Sequence, residues 1–409
     1  MKKITALAAL LAIPAMAAPA GYFQVPGTET TMKIYGMVDV DAWYTLKNTN
    51  GGFGDGLDAA HESTVNKNQW HWKVNDSRIG ITSTTPSAYG DVVVKLEGDF
   101  NGKAKSYKLV SGTTLVGSDD WNGTFRIRHA YGEFAGLLVG QTSSLWGAWH
   151  NTPGYIDNDG LLADFYGNGR VLQARYTAKL SDAATLAFSV EKNKNTTNSS
   201  GYVGWEDQAD DKKFPGNFVG AFQYSADWGS VVASVAYQKI NDWSKSGTDV
   251  LKHSKSSTSW ALSGAFNIGE NDSVTASVLN GLGFYGVGVL DAFNADGVNG
   301  SGDEEYLTPK ALAYTVGYSH TWNDKFTSNA GIGYVKYKKD EDNGIAEKVT
   351  VTQFFVNTIW QITKTAKFGA EYWYGTAKVG ADYFTKDNGQ LTDKIKESRL
   401  SFNMNYMFF

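Results

Sequence analysis

Arginine is the residue type whose placement in this chain most clearly suggests chemistry. The six arginines all lie in or beside segments in which apolar and polar residues alternate, at Arg78, Arg126, Arg128, Arg170, Arg175 and Arg399. Lysines, by contrast, are spread through loops and turns. A guanidinium stays charged and offers a planar fork of donors that matches a carboxylate, so arginines fixed on one wall would concentrate and orient organic anions. Alternatively, the arginines pair with Glu97, Asp99 and loop carboxylates and only keep a hydrated wall rigid.

The elements that would position these arginines are short amphipathic strands. Within the segment from Thr124 to Trp146, Phe125 and Ile127 alternate with Arg126 and Arg128, and a period of two puts the two kinds of side chain on opposite faces. The same alternation recurs along nearly the whole chain, without a helical stretch that could cover either face. This pattern predicts a barrel with lipid outside and a wet, charged lumen inside.

The alternation predicts an all-β protein, a 16-stranded antiparallel transmembrane β-barrel over residues 31–409. The predicted strands are 33–44, 69–83, 91–100, 124–134, 137–146, 170–180, 184–192, 217–226, 230–241, 258–268, 273–283, 309–321, 326–337, 348–361, 366–379 and 396–409. Short turns alternate with long polar loops, as in bacterial barrels with short periplasmic turns and long extracellular loops. A phase slip in the second strand predicts a β-bulge near Asn75 and Asp76. Sixteen strands close around an aqueous channel.

Composition and the N-terminus place this barrel in the outer membrane of a Gram-negative bacterium. Residues 1–20 have the order of a secretory signal: Lys2 and Lys3, an apolar run, and cleavage sites after Ala17 or Ala20. Residues 21–30 form a short periplasmic lead-in. Aromatic residues make up 14% of the chain, as expected for aromatic girdles at two membrane interfaces. A formal net charge of −5 gives no footprint for nucleic acid.

The lumen-facing positions predict the residues that a solute would meet. The predicted pore-lining residues are Arg78, Lys95, Arg126, Arg128, Arg175, Lys179 and Arg399. Residues 147–169 follow the fifth strand and form a candidate constriction loop. Its aromatic and acidic residues are Trp149, Tyr155, Tyr166, Asp157, Asp159 and Asp164. An acidic loop opposite a basic wall would produce a transverse field across the narrowest part of the channel, whereas the alternative is an ordinary surface loop.

Catalysis is not indicated. The six histidines show no metal-ligand spacing and no neighbouring nucleophile motif, and the chain lacks G-x-S-x-G and glycine-rich phosphate loops. The run from Asp157 to Gly160 lacks the distal acidic residue of a calcium loop. We therefore predict no enzyme, no cofactor and no metal site.

The last predicted strand ends in an aromatic residue. Leu400, Phe402, Met404, Tyr406 and Phe408 form one lipid-facing row. The terminal Phe409 resembles the signal by which the barrel-assembly machinery recognises outer-membrane proteins. Here Phe408, not Phe409, is in phase with the apolar row, so the terminal residue is a one-residue overhang.

Several sequence blocks resemble the DcaP-like family of outer-membrane porins. They are PGTETT (26–31), KIYG (33–36), SRIG (77–80), KLEGDF (95–100), RIRHAYGEF (126–134), LLVGQTSS (137–144) and QARYT (173–177). The resemblance implies a homotrimer of sixteen-stranded barrels through which small anions, dicarboxylates in particular, diffuse. It also implies that Arg126, Arg128 and Arg175 are lumen-facing positive positions. Some members carry a periplasmic helical extension, for which residues 21–30 are too few.

The sequence thus predicts a passive, trimeric outer-membrane porin with a bias toward small organic anions. Its other partners would be outer-membrane lipid and lipopolysaccharide. Two alternatives stay open. The barrel could be a porin for sugars gripped by the loop aromatics or for cations drawn by the net negative charge. It could also serve as an adhesion or envelope-anchoring barrel, with its long loops as binding surface.

Overall fold

Sixteen strands form one antiparallel sheet in a computed structural model of the chain. The structure describes residues 22–47, 68, 70–102, 107–108, 114–115, 124–156, 160–161, 163–164, 169–192, 216–246, 249–281, 285, 297–298, 304–305, 310–337, 349–378, 384–385, 391–392 and 394–408. The predicted signal sequence at residues 1–20 and Phe409 lie outside these ranges. Among the residues described, no helix has the length and apolarity that crossing a membrane requires.

The strands follow the chain order around the barrel. They are β1 (Thr31–Lys47), β2 (Trp70–Lys73 and Arg78–Thr85), β3 (Val92–Gly102), β4 (Thr124–Phe134), β5 (Leu137–Ser143), β6 (Arg170–Lys179), β7 (Ala184–Glu191), β8 (Asn217–Ala226), β9 (Gly229–Ser246), β10 (Asp249–Ile268), β11 (Asp272–Gly281), β12 (Ala311–Asn323), β13 (Phe326–Tyr337), β14 (Val349–Gln361), β15 (Ala366–Lys378) and β16 (Lys394–Phe408). In the described parts of the long connections, three pairs of two-residue strands occur: Tyr107–Lys108 with Thr114–Leu115, Gly297–Val298 with Glu304–Glu305, and Phe384–Thr385 with Leu391–Thr392.

The sheet closes on itself. Met37 of β1 is opposite Arg78 of β2 on one side and opposite Met407 of β16 on the other. Closure leaves no free sheet edge. Every strand can therefore pair its backbone N–H and C=O groups with a neighbouring strand, as an apolar membrane requires. The predicted fold class is confirmed.

The bulge predicted in β2 is present. Between two paired positions, β1 runs from Asp41 back to Met37, whereas β2 runs from Lys73 to Arg78 and so contains one extra residue. The insertion returns Ile79 to the outer face that Trp72 occupies before it. A second irregularity occurs where β3 meets β4, and it leaves Arg128 and the next residue, His129, both beside Glu97.

Two predicted boundaries are wrong. Strand β5 ends at Ser143 instead of continuing to Trp146, because the Ser144 hydroxyl accepts from the Trp146 amide (3.2 Å) and caps the short helix α1 (Leu145–Ala148). The predicted loop at 242–257 is mostly strand, since β9 and β10 stay paired as far as Ser246 and Asp249. A hairpin that extends beyond the membrane-facing apolar band of the barrel needs no apolar face. Its sequence therefore lacks the alternation of a strand and resembles that of a polar loop.

The lead-in also forms a strand. Tyr22–Gln24 pairs antiparallel with the first three residues of β1, from Tyr22 opposite Lys33 to Gln24 opposite Thr31. This is the side of β1 that β16 occupies from Gly36 onward. The lead-in therefore continues the barrel wall below the end of β16.

The two faces of the sheet have the expected character. Large apolar side chains such as Leu96, Ile127 and Tyr406 are exposed on the outside, as are Trp70 and Trp72. Charged and amide side chains of the other parity are buried inside the barrel. The outer face therefore suits lipid and the inner face suits a hydrated lumen.

Candidate functional site

The inner wall between β3 and β4 carries a network of ion pairs. Arg126 donates to both oxygens of Asp99, from Nε to Oδ1 (2.9 Å) and from Nη2 to Oδ2 (2.6 Å). Arg128 bridges two carboxylates, with Nε on Glu97 Oε1 (2.8 Å) and Nη1 on Asp99 Oδ2 (2.6 Å). Adjacent strands bring these side chains together because all four point to the same face of the sheet. The structure thus places two of the predicted arginines, Arg126 and Arg128, and both predicted carboxylates in one network.

Further donors surround Glu97. The Tyr35 hydroxyl donates to Glu97 Oε2 (2.7 Å), and Lys95 Nζ lies 3.6 Å from the same oxygen. His129 Nε2 lies 3.8 Å from Glu97 Oε1, and its Nδ1 is 2.8 Å from the Thr142 hydroxyl of β5. The buried Glu97 carboxylate is therefore surrounded by hydrogen-bond donors and positively charged groups.

Three inward arginines have no ion pair within the described part of the chain: Arg78, Arg170 and Arg175. Arg78 donates one hydrogen bond, from Nε to the Asp76 carbonyl oxygen (3.4 Å), and interacts with Glu97 and Asp39 only at longer range. The Asp76 carboxylate instead pairs with Lys73 (2.7 Å). Positive charge on this wall is therefore not fully neutralised by neighbouring carboxylates.

Arg170 was not among the predicted pore-lining residues, because it is the first residue of β6 and the alternation gives no direction at a strand end. In the structure its guanidinium interacts electrostatically with Arg126, Arg128, Arg78 and Asp99. Arg170 therefore joins this group, and we call Arg78, Lys95, Arg126, Arg128 and Arg170 the basic cluster. Arg175 lies farther along β6, beside Glu133 and Tyr131 of β4.

Two predicted pore-lining residues lie elsewhere. Lys179 is at the short-turn end of β6, where its Nζ pairs with Asp182 Oδ1 (2.7 Å) and 63% of its side chain is exposed. The hydrogen bond from Lys179 lowers the pKa of Asp182. Arg399 has the predicted inward parity but is buried, with its guanidinium carbon 5.9 Å from the centre of the Trp373 ring. Neither residue belongs to the basic cluster, because Lys179 pairs with Asp182 and Arg399 packs against Trp373.

The described residues of loop 147–169 contact the inner wall of the barrel. The polar anchors of the loop lie on strands across the barrel: His150 Nδ1 is 2.7 Å from the Ser263 hydroxyl of β10, and Asn357 Nδ2 of β14 donates to the Gly154 carbonyl oxygen (2.7 Å). The Ile156 amide donates to Glu371 Oε2 of β15 (3.4 Å). These contacts join residues more than 100 positions apart in the sequence, so the sequence of the loop alone could not predict them.

Apolar packing accompanies these bonds. Leu145, Trp146, Leu161 and Ala163 are buried against inward-facing residues of β7–β15, many of them alanines. The described contacts of residues 145–164 fall on β7–β15 and on Tyr285. In the described residues, the loop thus occupies the lumen beside β7–β15 and leaves the basic cluster on β2–β6 uncovered.

Glycines on the wall admit the loop. A Cβ on Gly317 would lie 2.7 Å from the Pro153 ring, and one on Gly333 would lie 2.8 Å from the Ala163 side chain. Contacts this short do not occur between real side chains. The barrel wall therefore carries residues without a side chain where the described part of the loop contacts it.

The described side chains of the loop pack against the barrel wall instead of pointing into the open part of the lumen. The Tyr155 ring lies 4.8 Å from that of Phe355, and its hydroxyl donates to Asp164 Oδ2 (2.5 Å). Burial raises the pKa of Tyr155. Asp164 is buried and Trp149 packs against the apolar cluster, so the expected acidic face is not formed by Asp164. Asp157, Asp159 and Tyr166 lie outside the described residues.

Known proteins match both the sequence and the fold. A family model described as a porin subfamily matches residues 16–402. The porin Omp2b of Brucella suis biovar 1 (strain 1330) is 28% identical over 229 residues, which are 55% of this chain and 56% of that protein. The match thus spans little more than half the length of this curated relative.

Solved structures share the fold along nearly the whole chain. The outer membrane channel DcaP of Acinetobacter baumannii has a TM-score of 0.70 at 22% identity, covering 95% of this chain and 100% of that one. The anion-selective porin from Comamonas acidovorans has a TM-score of 0.57 at 11% identity, covering 93% and 100%. The resemblance to DcaP-like porins is confirmed.

A closed barrel with an apolar outside and a charged lumen is the architecture that a channel in the outer membrane requires. Because the family model accounts for nearly all of the chain, this protein belongs to the porin subfamily and is an outer-membrane channel protein rather than an enzyme.

Proposed function

We propose that small hydrophilic solutes diffuse passively through this barrel and that organic anions such as dicarboxylates are favoured. The observation that carries the proposal is that Arg78, Arg170 and Arg175 have no ion pair within the described residues, on the wall that the loop leaves uncovered. A fixed guanidinium in a narrow lumen attracts and orients carboxylates. One porin that shares the fold, from Comamonas acidovorans, is anion-selective.

The layering of charge supports this preference. Asp99 is 0% exposed and Glu97 is buried, whereas 39% of the Arg126 side chain stays exposed while it is paired. Arg126 thus lies in front of the carboxylate that holds it, whereas Arg128 is buried with its two partners. A passing solute meets the Arg126 guanidinium before it meets Asp99. The predicted structural role and the predicted anion-guiding role are therefore compatible in Arg126, and Arg128 has mainly the structural role.

Dicarboxylates suit this surface for a geometric reason. Arg126 and Arg170 lie within electrostatic range of each other. A solute with two carboxylates can engage two guanidinium groups at once, and each contact is a charge-assisted hydrogen bond. A solute with one carboxylate can use only one of them.

Loop 147–169 is proposed as the constriction. Its contacts with β7–β15 across the lumen support this role over that of a surface loop. The loop narrows the passage on one side, so the remaining path runs beside the basic cluster. The field across this path then comes mainly from the wall.

The alternatives have less support. Tyr155 and Trp149 use their rings in packing, so they offer little stacking surface to sugars. Asp39 and Asp41 of β1 are buried and accept hydrogen bonds from Asn403 (2.6 and 2.7 Å), which holds them back from cations. An adhesion role would rest on the long connections, most of which lie outside the described residues.

A homotrimer is proposed from the resemblance to DcaP-like porins. The exposed apolar band supports contact with outer-membrane lipid and lipopolysaccharide. The outward row of Phe402, Met404, Tyr406 and Phe408 continues to the end of β16 and supports recognition by the barrel-assembly machinery, to which Phe409 would add.

The reversal potential in a planar bilayer under a salt gradient tests the proposal. We expect stepwise insertion in triplets and an anion-selective potential. Arg170→Gln with Arg175→Gln should lower the anion preference, whereas Lys179→Gln removes the same charge from an exposed turn and should leave it unchanged. A cation-selective potential would overturn the substrate class, and an absence of conductance would favour an adhesion role.

A further inference from the structure

Glu191, the last residue of β7, is a completely buried carboxylate at the root of loop 147–169. Its side chain is 0% exposed, and no ion pair neutralises it within the described residues. Oxygen Oε1 accepts from the Leu145 amide (2.8 Å) and the Ser189 hydroxyl (2.9 Å). Oxygen Oε2 accepts from the Ser144 hydroxyl (2.7 Å) and the Tyr285 hydroxyl (3.0 Å). Four donors thus fill the four acceptor positions of one carboxylate.

These donors come from three separate parts of the chain. Ser189 belongs to the same wall strand as Glu191. Ser144 and Leu145 cap and begin α1, where the chain leaves β5 and turns into the lumen. Tyr285 belongs to the long connection between β11 and β12. A single side chain therefore joins the wall, the root of the loop and a second connection on the same side of the barrel.

Tyr285 contacts the loop root in a second way. Its ring lies 6.0 Å from that of Trp146 at an interplanar angle of 83°, an edge-to-face arrangement. Both rings are completely buried. Burial raises the pKa of Tyr285, so its hydroxyl remains a hydrogen-bond donor at all physiological pH values.

We propose that Glu191 is a positioning residue that fixes the root of the constriction loop, and that Tyr285 completes this anchor. A root that leaves this position would change the width of the channel. The effect on permeation rests on the proposed constriction role of residues 147–169.

The physical basis is the cost of leaving a buried carboxylate with too few donors. A hydrogen bond to a charged group contributes enough that its loss shifts an equilibrium by roughly tenfold or more. The loop root is short, since α1 has four residues, and its own backbone bonds give little independent stability. Loss of the Glu191 contacts should therefore populate a displaced root.

Thiol labelling measures the position of the root directly. The chain has no cysteine, so Ala148→Cys at the half-buried end of α1 introduces a unique thiol. In full-length barrels with this reporter, Glu191→Ala and Tyr285→Phe should raise the rate of reaction with a charged methanethiosulfonate by about tenfold. Asp182→Asn is the control, because it changes a carboxylate that pairs with Lys179 in an exposed turn and has no contact with the loop root in the described residues, so its rate should not change.

Single-channel recording of the same variants measures the constriction. Glu191→Ala and Tyr285→Phe should increase transitions to other conductance levels by about tenfold. Tyr285→Phe changes no charge and should leave the reversal potential unchanged. Unchanged labelling in Tyr285→Phe, which keeps the shape of the ring and tests the anchor even if Glu191→Ala does not fold, would overturn the anchor. Faster labelling with an unchanged current would uphold the anchor and overturn the constriction role on which its effect depends.

Discussion

Arg126 and Asp99 form a two-point ion pair across β4 and β3 in which the two partners differ sharply in exposure. The bonds run from Nε to Oδ1 (2.9 Å) and from Nη2 to Oδ2 (2.6 Å), and Asp99 is buried whereas Arg126 is partly exposed. Such bidentate contact fixes the guanidinium in one orientation. The carboxylate therefore aims the arginine at the lumen while contributing little negative charge of its own there.

Asp99→Asn tests this relationship. The change removes one negative charge behind Arg126 and Arg128, so the anion preference should increase in a reversal-potential measurement. The free energy of unfolding should fall by about 2 kcal/mol, less than for a fully buried pair because Arg126 is partly solvated. Asp182→Asn in the exposed turn is the control and should change neither quantity. A lower anion preference in Asp99→Asn would contradict the layered arrangement.

Gly317→Val tests the seat of the loop on β12. A Cβ at this position would lie 2.7 Å from the Pro153 ring, so the loop has to move away from the wall or the strand has to shift. Overpacking of this kind costs about 1–3 kcal/mol. We expect altered conductance and more frequent current fluctuations in single-channel records. Gly132→Ala, whose Cβ would have a nearest neighbour at 4.0 Å, should behave as the wild type. Equal records for both variants would place the loop elsewhere.

His150 should make loop docking sensitive to acid. Burial lowers the pKa of this side chain to about 3, below the usual value of about 6.5, so the docked state disfavours the proton that the released state accepts. The His150 contribution is fully present above about pH 6.5 and is lost progressively toward pH 3, by up to about 1.4 kcal/mol per pH unit. Current fluctuations should therefore increase between pH 6.5 and pH 4, and His150→Gln should flatten this dependence. The same pH profile in both proteins would exclude His150 as the cause.

Gly36→Ala should weaken the seam where β16 meets β1. A Cβ at Gly36 would collide with the Phe408 ring and with the backbone carbonyl oxygen of Arg78, which cannot both move aside. We expect unfolding at a lower temperature, observed as loss of the folded band in unheated gel samples, and a destabilisation of about 1–3 kcal/mol. Gly132→Ala is again the matched control. Wild-type heat resistance in Gly36→Ala would show that the seam tolerates a methyl group.

Strand positions could be predicted from the sequence because a period of two is a local signal. The observed β8 and β13 have the predicted bounds, 217–226 and 326–337, and the bulge after Lys73 lies where the apolar phase slips. The hairpin of β9 and β10 was underestimated for a related reason. Beyond the membrane the alternation of apolar and polar residues is no longer required, so the local signal disappears while the backbone pairing continues.

Which charges remain available to a solute was decided only by the tertiary structure. The alternation assigned Arg126 and Arg128 to the lumen, but their pairing with Asp99 and Glu97 depends on strand register and on an irregularity between β3 and β4. Arg170 joins them because the register of β6 on β5, and of β5 on β4, brings the first residue of β6 near Arg128. Electrostatic pairing acts through space, and separations in space are not encoded in local spacing.

The composition of the long connection after β5 indicated a loop, but its course depends on distant strands. Docking uses small side chains on the wall and single polar groups such as Ser263, Asn357 and Glu371, each of which looks ordinary in its own strand. The sequence by itself determined the barrel, because amphipathic alternation is repeated in every strand. Only the tertiary structure decided the shape of the channel, because it arises from packing between residues that closure brings together.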